Sequence, residues 1–109
     1  MSEGRQLKPA PEESPDRIDV VWDEVKHGSN RAEHDISFHE AAAVFSDPLA
    51  AVIDDPDHSF DERRFLIVGE SGAGHLLVVS YTERGGKIRI ISARRATPME
   101  RRNYEEGGR

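Results

Sequence analysis

Nine cationic side chains crowd one stretch of this chain. Residues 63–102 hold Arg63, Arg64, Arg84, Lys87, Arg89, Arg94, Arg95, Arg101 and Arg102 against three acids, a net of +6. Eight of the nine are arginines, whose planar, permanently charged fork fits a phosphate better than the point charge of a lysine does. Residues 1–62 run the other way, with 5 basic and 16 acidic side chains, so the whole chain carries −6. The overall sign disfavours a nucleic-acid partner, yet the distribution makes the second half a basic module suited to phosphate. A solvated strand face with charged helix ends is the bland account of the same residues.

Other chemistries come close and miss. His39-Glu40-Ala41-Ala42-Ala43 opens like a zinc-protease box but has Ala43 where the second histidine must ligate. Gly69-Glu70-Ser71-Gly72-Ala73 lacks the last glycine of a nucleophile elbow. Gly72 and Gly74 are not followed by the Lys-Ser/Thr of a phosphate loop and read as hairpin glycines. The five histidines show no pair at ligand spacing and there is no cysteine, so neither a metal nor a cofactor is expected. No signal-peptide pattern opens the chain, and no stretch nears the roughly 20 apolar residues of a membrane helix. A soluble cytoplasmic protein with no membrane partner is the default expectation.

The elements that must position the cations can be read from capping and turn signals. With 109 residues, 36% of them hydrophobic, the chain suffices for one small domain. Residues 1–17, with Pro9, Pro11, Pro15 and only Leu7 as a large apolar side chain, are expected to be a disordered leader. The domain is expected over residues 18–106, with 107–109 as a tail. A strand at residues 19–22 precedes Asp23, which caps a helix over 24–34. Ser37-Phe38-His39-Glu40 reads as a capping box for a second helix, which ends before Pro48. Strands follow at 49–53, 64–68, 75–82 and 87–93, the last three joined by short glycine turns that imply antiparallel hairpins. Ile88 and Ile90 fall on one face of the last strand, Lys87 and Arg89 on the other. Thr97-Pro98-Met99-Glu100 is a second capping box and starts the final helix. The expected fold is a small α+β domain, an antiparallel sheet with two N-terminal helices and one C-terminal helix. Trp22, one of few large side chains, is expected in the core.

Several of these pieces, taken together, resemble one family. They are Val21-Trp22-Asp23-Glu24-Val25-Lys26, Asn30 and His34; Ile36-Ser37-Phe38-His39-Glu40-Ala41-Ala42 with Val44-Phe45 and Asp47-Pro48-Leu49; Arg64-Phe65 before Gly69; and Arg89-Ile90-Ile91-Ser92-Ala93-Arg94-Arg95-Ala96-Thr97 with Glu100-Arg101 and Tyr104. Over about residues 19–106 the chain resembles the BrnT toxins. The opening Trp-Asp-x-x-Lys and the closing Ile-Ser-Ala-Arg-x-Ala are specific in combination. The resemblance implies a RelE-like fold and cleavage of messenger RNA. It also implies a BrnA-like ribbon-helix-helix antitoxin as type II partner, with operator DNA reached only through that antitoxin. The chain departs from the family at Glu33-His34-Asp35, where Lys-His-Gly is common. Asp35 must then take the left-handed conformation that glycine takes easily.

RNA is cleaved when its 2′-hydroxyl attacks the adjacent phosphate. An enzyme orients the attack, moves a proton and stabilises charge on the phosphorane, and cations can supply much of this without a metal. On the resemblance, Arg94 of the Ile-Ser-Ala-Arg motif is the first candidate clamp, its alternative being a structural salt bridge. Arg64 and Arg101 are candidates for the same phosphate, and Lys26 for general base or clamp. Arg89, Lys87, Arg95 and Tyr81 are the expected RNA contacts, Tyr81 by stacking on a base. Tyr104 could stack too, though core packing is the stronger reading, and His34 and His58 could shuttle protons. The second functional reading is a toxin-fold binding module that lacks catalysis and acts through its antitoxin in operon repression. The acidic first half favours it.

Overall fold

The computed structural model of the chain describes residues 19–55 and 63–107. The expected leader, His58 and residues 108–109 lie outside that set. The chain begins with β1 (Val20–Trp22) and α1 (Glu24–His34), followed by α2 (Phe38–Ala42) and a 3-10 turn (Ala43–Ser46). The strands β2 (Ala51–Asp54), β3 (Phe65–Glu70), β4 (Leu76–Arg84) and β5 (Lys87–Arg95) come next, and α3 (Pro98–Glu105) ends the domain. No helix among the described residues is long and apolar enough to cross a membrane.

The sheet runs β1-β5-β4-β3-β2. Strands β2 to β5 form an antiparallel meander, and β1 adds to its far edge parallel to β5, with Val20 opposite Ile88 and Trp22 opposite Ile90. The sheet is therefore mixed, where the hairpin signals had suggested a wholly antiparallel one. A parallel pair needs a long crossover, and here α1, α2 and the meander supply it. The helices α1 and α2 cross one face of the sheet between its two edges. There they bury Ile36, Phe38, Ala41 and Val44 against Ile67, Leu77, Val79, Tyr81, Ile90 and Ala93. Trp22 is partly buried against this core.

Local chemistry accounts for the boundaries. Asp23 Oδ1 accepts from the backbone N–H groups of Val25 at 2.7 Å and Lys26 at 3.2 Å, starting α1. Asp35 ends it in the left-handed region at φ 59° and donates its N–H to the Arg31 carbonyl. The buried Asn30 joins three pieces: its amide donates to the Ile36 carbonyl at 2.9 Å, and its Oδ1 accepts from Ala93 N–H at 3.0 Å. Thr97 and Glu100 form the complete capping box on α3. The box at α2 is only half made. Ser37 caps Glu40 N–H at 3.0 Å, but the Glu40 side chain turns away to accept from Ser71 Oγ at 2.6 Å and to meet His75 Nδ1. The 71–75 turn, folded against α2, offers that carboxylate stronger partners than its own helix start does. Burial raises the Glu40 pKa, and these hydrogen bonds more than offset it, leaving the group below its ordinary range. At Gly69 a β-carbon would stand 2.9 Å from Val44 Cγ1, so the 3-10 turn can pack tightly on β3 only over a glycine.

Candidate functional site

Strand alternation assigns the cations to faces, and one irregularity alters the assignment. On β5, Ile90 opposes Tyr81 while Ser92 opposes Ser80, so Ile91 is an extra residue, a β-bulge. Strict alternation would place Lys87, Arg89, Ile91 and Ala93 together and send Arg94 into the core face. With the bulge, Ala93 is fully buried in the core, and Arg94 shares the opposite face with Lys87 and Arg89. The same face carries Arg84, Thr82, Ser80 and Val78 of β4, where Thr82 and Val78 are buried and Ser80 is half-buried, and alternation places Arg64, just before β3, there too. Helix α3 covers the other end of this face. Between it and β2–β3 lies an apolar groove of about 660 Å³ whose lining includes Leu49, Ile53, Leu66 and Val78.

The cations differ in how far they are already engaged. Arg94 is held bidentately, its two terminal nitrogens donating to the Glu100 oxygens at 2.8 and 2.9 Å, and Nη1 also reaches the Arg95 carbonyl at 3.2 Å. The bridge is partly exposed, with the Arg94 side chain 41% accessible. Arg94 holds the Glu100 carboxyl down to about 2, and Glu100 raises the Arg94 pKa in turn. Of the five guanidinium N–H groups, two remain for a ligand. Arg101, on the outside of α3, lies 3.6 Å from Glu105. Arg64 is half-buried and already has an interaction within the protein.

A second grouping forms at the start of α1. Asp23 sits below its ordinary carboxylate range because Lys26 N–H and then Val25 N–H donate to it, helped by the nearby charges of Arg89 and Lys26. Lys26 and Arg89, far apart in sequence, thus both act on one carboxylate through their charge. Lys26 and Lys87 are exposed, and Arg89 is half-exposed opposite Val21 and Thr82.

Two expected RNA contacts lie elsewhere. Tyr81 is 5% exposed on the core face, edge-on to Phe45 at 4.9 Å and stacked on Phe65 at 5.4 Å, and burial raises its pKa. It has no free ring face for a base. Arg95 opposes Leu77 and falls on the core side of the sheet, where its charge acts on Glu40. Tyr104 is a tie rather than a platform: its hydroxyl donates to Asp47 Oδ2 at 2.7 Å, which pushes its pKa up to about 12. His34 lies 3.8 Å from Glu33 at the end of α1. The bulge, the Asp23 grouping and the opposed pair Ser80–Ser92 are features that sequence reasoning did not single out. Ser92 carried a signal, its place between Arg89 and Arg94.

Comparison with known proteins identifies the family and the fold. A family model described as "Ribonuclease toxin, BrnT, of type II toxin-antitoxin system" matches residues 22–100, a span that includes both the Lys26–Arg89 grouping and the Arg94–Glu100 bridge. The fold is similar to that of the Brucella abortus ribonuclease toxin BrnT, at a TM-score of 0.57 and 24% identity, over 74% of this chain and 99% of that one. No curated protein matches the chain. With a cationic sheet face in place and the family model spanning nearly the whole described domain, the chain belongs to the BrnT family of ribonuclease toxins of type II toxin-antitoxin systems.

Proposed function

We propose that the open sheet face binds messenger RNA in the cytoplasm and cleaves it by attack of a 2′-hydroxyl on the adjacent phosphate, with charge stabilised by the protein's own cations. The observation that carries this reading is the bulge-assisted gathering of Lys87, Arg89 and Arg94 on one side of the sheet. Arg89 and Lys87 draw in the backbone, and Arg94 offers its two remaining N–H groups to the phosphorane. Arg64 stands beside them on the same face, and Arg101 of α3 is a more distant clamp. Lys26, whose backbone N–H donates to Asp23, is the candidate base. A BrnA-like ribbon-helix-helix antitoxin would neutralise the toxin and connect it to operator DNA.

The test is single-turnover cleavage of an RNA oligonucleotide. A 2′,3′-cyclic phosphate product that forms equally in excess EDTA supports the reading. Loss of cleavage in EDTA, or a product with a free 2′-hydroxyl beside a 3′-phosphate formed directly, counts against it. The binding-module reading draws on the Arg94–Glu100 bridge, which engages the leading catalytic candidate. Soluble, folded protein that binds antitoxin yet cleaves no RNA would favour that reading.

A further inference from the structure

We propose that Ser80 and Ser92, directly opposed on β4 and β5, form with Arg89 a subsite for one ribose-phosphate unit of single-stranded RNA. The proposal rests on the ribonuclease reading and adds the place where the sugar is held. Three observations lead to it. First, the bulge at Ile91 turns Ser92 onto the open face between Arg89 and Arg94, and the Ser80–Ser92 register brings the two β-carbons to about 5 Å. Bulges commonly re-aim side chains in this way beside active sites.

Second, other polar groups around this face are already engaged. Thr82 Oγ1 donates to the Arg63 carbonyl at 2.9 Å, and Arg94 is bound to Glu100. Among the described residues, neither serine hydroxyl has a hydrogen-bond partner, and Arg89 has no ion pair at contact distance. Third, the pair stands on a boundary. Leu66 opposes Ser80 on the side away from Ser92, so the surface passes from cation to hydroxyl to apolar side chain within three strands. That order matches a nucleotide, with phosphate toward Arg89, sugar over the serines and base toward Leu66.

The chemistry differs from that of the cations. An arginine attracts any phosphate, whereas a serine hydroxyl can donate to a phosphate oxygen and also accept from a 2′-hydroxyl, the group that marks RNA. The serines therefore fix position and sugar identity while the cations supply attraction.

The experiment is single-turnover cleavage of an RNA oligonucleotide over a range of protein concentration, yielding a half-saturating concentration and a maximal rate, with a thermal melt of each variant. Ser80→Ala and Ser92→Ala should each raise the half-saturating concentration about fivefold, the loss of one hydrogen bond. The double variant should raise it further, and Ser92→Thr should restore it. The slope of affinity against salt should stay that of the parent in the serine variants and fall by about one in Arg89→Ala. A double alanine variant that saturates like the parent overturns the subsite and leaves the ribonuclease reading intact. So does a loss that only follows the melting temperature or appears only in the maximal rate. A parent that neither binds nor cleaves RNA overturns both.

Discussion

At the residue scale, the Arg94–Glu100 bridge separates two roles for the same guanidinium. If Arg94 clamps the phosphorane, Arg94→Ala should lower single-turnover cleavage by roughly 10²–10³-fold, and Arg94→Lys should recover part of it. Glu100→Gln then becomes the informative variant. It loosens the bridge without removing the cation, so cleavage should hold at the parent rate or rise. If Arg94 only ties α3 to the sheet, both variants should lose activity together, in step with the melting temperature. The bridge is partly exposed, so either change should cost about 1 kcal/mol or less. The sequence pointed to Arg94 through its motif but did not give its partner, because Glu100 was fully explained by its capping box. Tyr81 was misplaced for a related reason. Residues 76–79, 81 and 82 are all buried, so β4 is covered on both faces and shows no alternation from which to read orientation.

At the element scale, the ends of the helices set measurable quantities. Asp35 occupies the left-handed region that favours glycine. Asp35→Gly should therefore stabilise the protein by about 0.5–1 kcal/mol, seen as a higher urea midpoint with an unchanged slope. An unchanged or lower midpoint would mean that the aspartate makes up its backbone cost elsewhere. Helix α3 has no fully buried residue and depends on polar ties through Glu100 and Tyr104. The Glu100 carboxyl titrates at about 2 when folded against an ordinary 4.5, so its contribution is complete above 4.5 and is lost as pH falls towards 2. The melting temperature should fall through that window, and less steeply in Glu100→Gln. Identical acid profiles would show that the bridge contributes nothing. The order of elements and most of their caps were legible because they are local. Two features were not. Nothing near a three-residue strand states whether it pairs parallel or antiparallel, and the bulge lies in an Ile-Ile run with no glycine to mark it.

At the scale of the whole molecule, the basic module divides: Lys87, Arg89 and Arg94 share one face of the sheet, whereas Arg95 lies on the other and Arg101 on α3. Expression without antitoxin should arrest growth, and coexpression of the antitoxin should restore it. Normal growth with folded, soluble toxin would favour the binding-module reading. The face also has an order of assembly. Its edge strand β1 pairs with β5, joining Val20 to Ile88, and such distant pairing forms late in folding. On the ribosome, α1 emerges early with Lys26, but Arg89 follows more than sixty residues later. A nascent toxin is thus expected to be harmless to the message that encodes it until β5 has been synthesised. Chains stalled at residue 84 and released should bind no RNA, whereas chains extended through α3 should bind it.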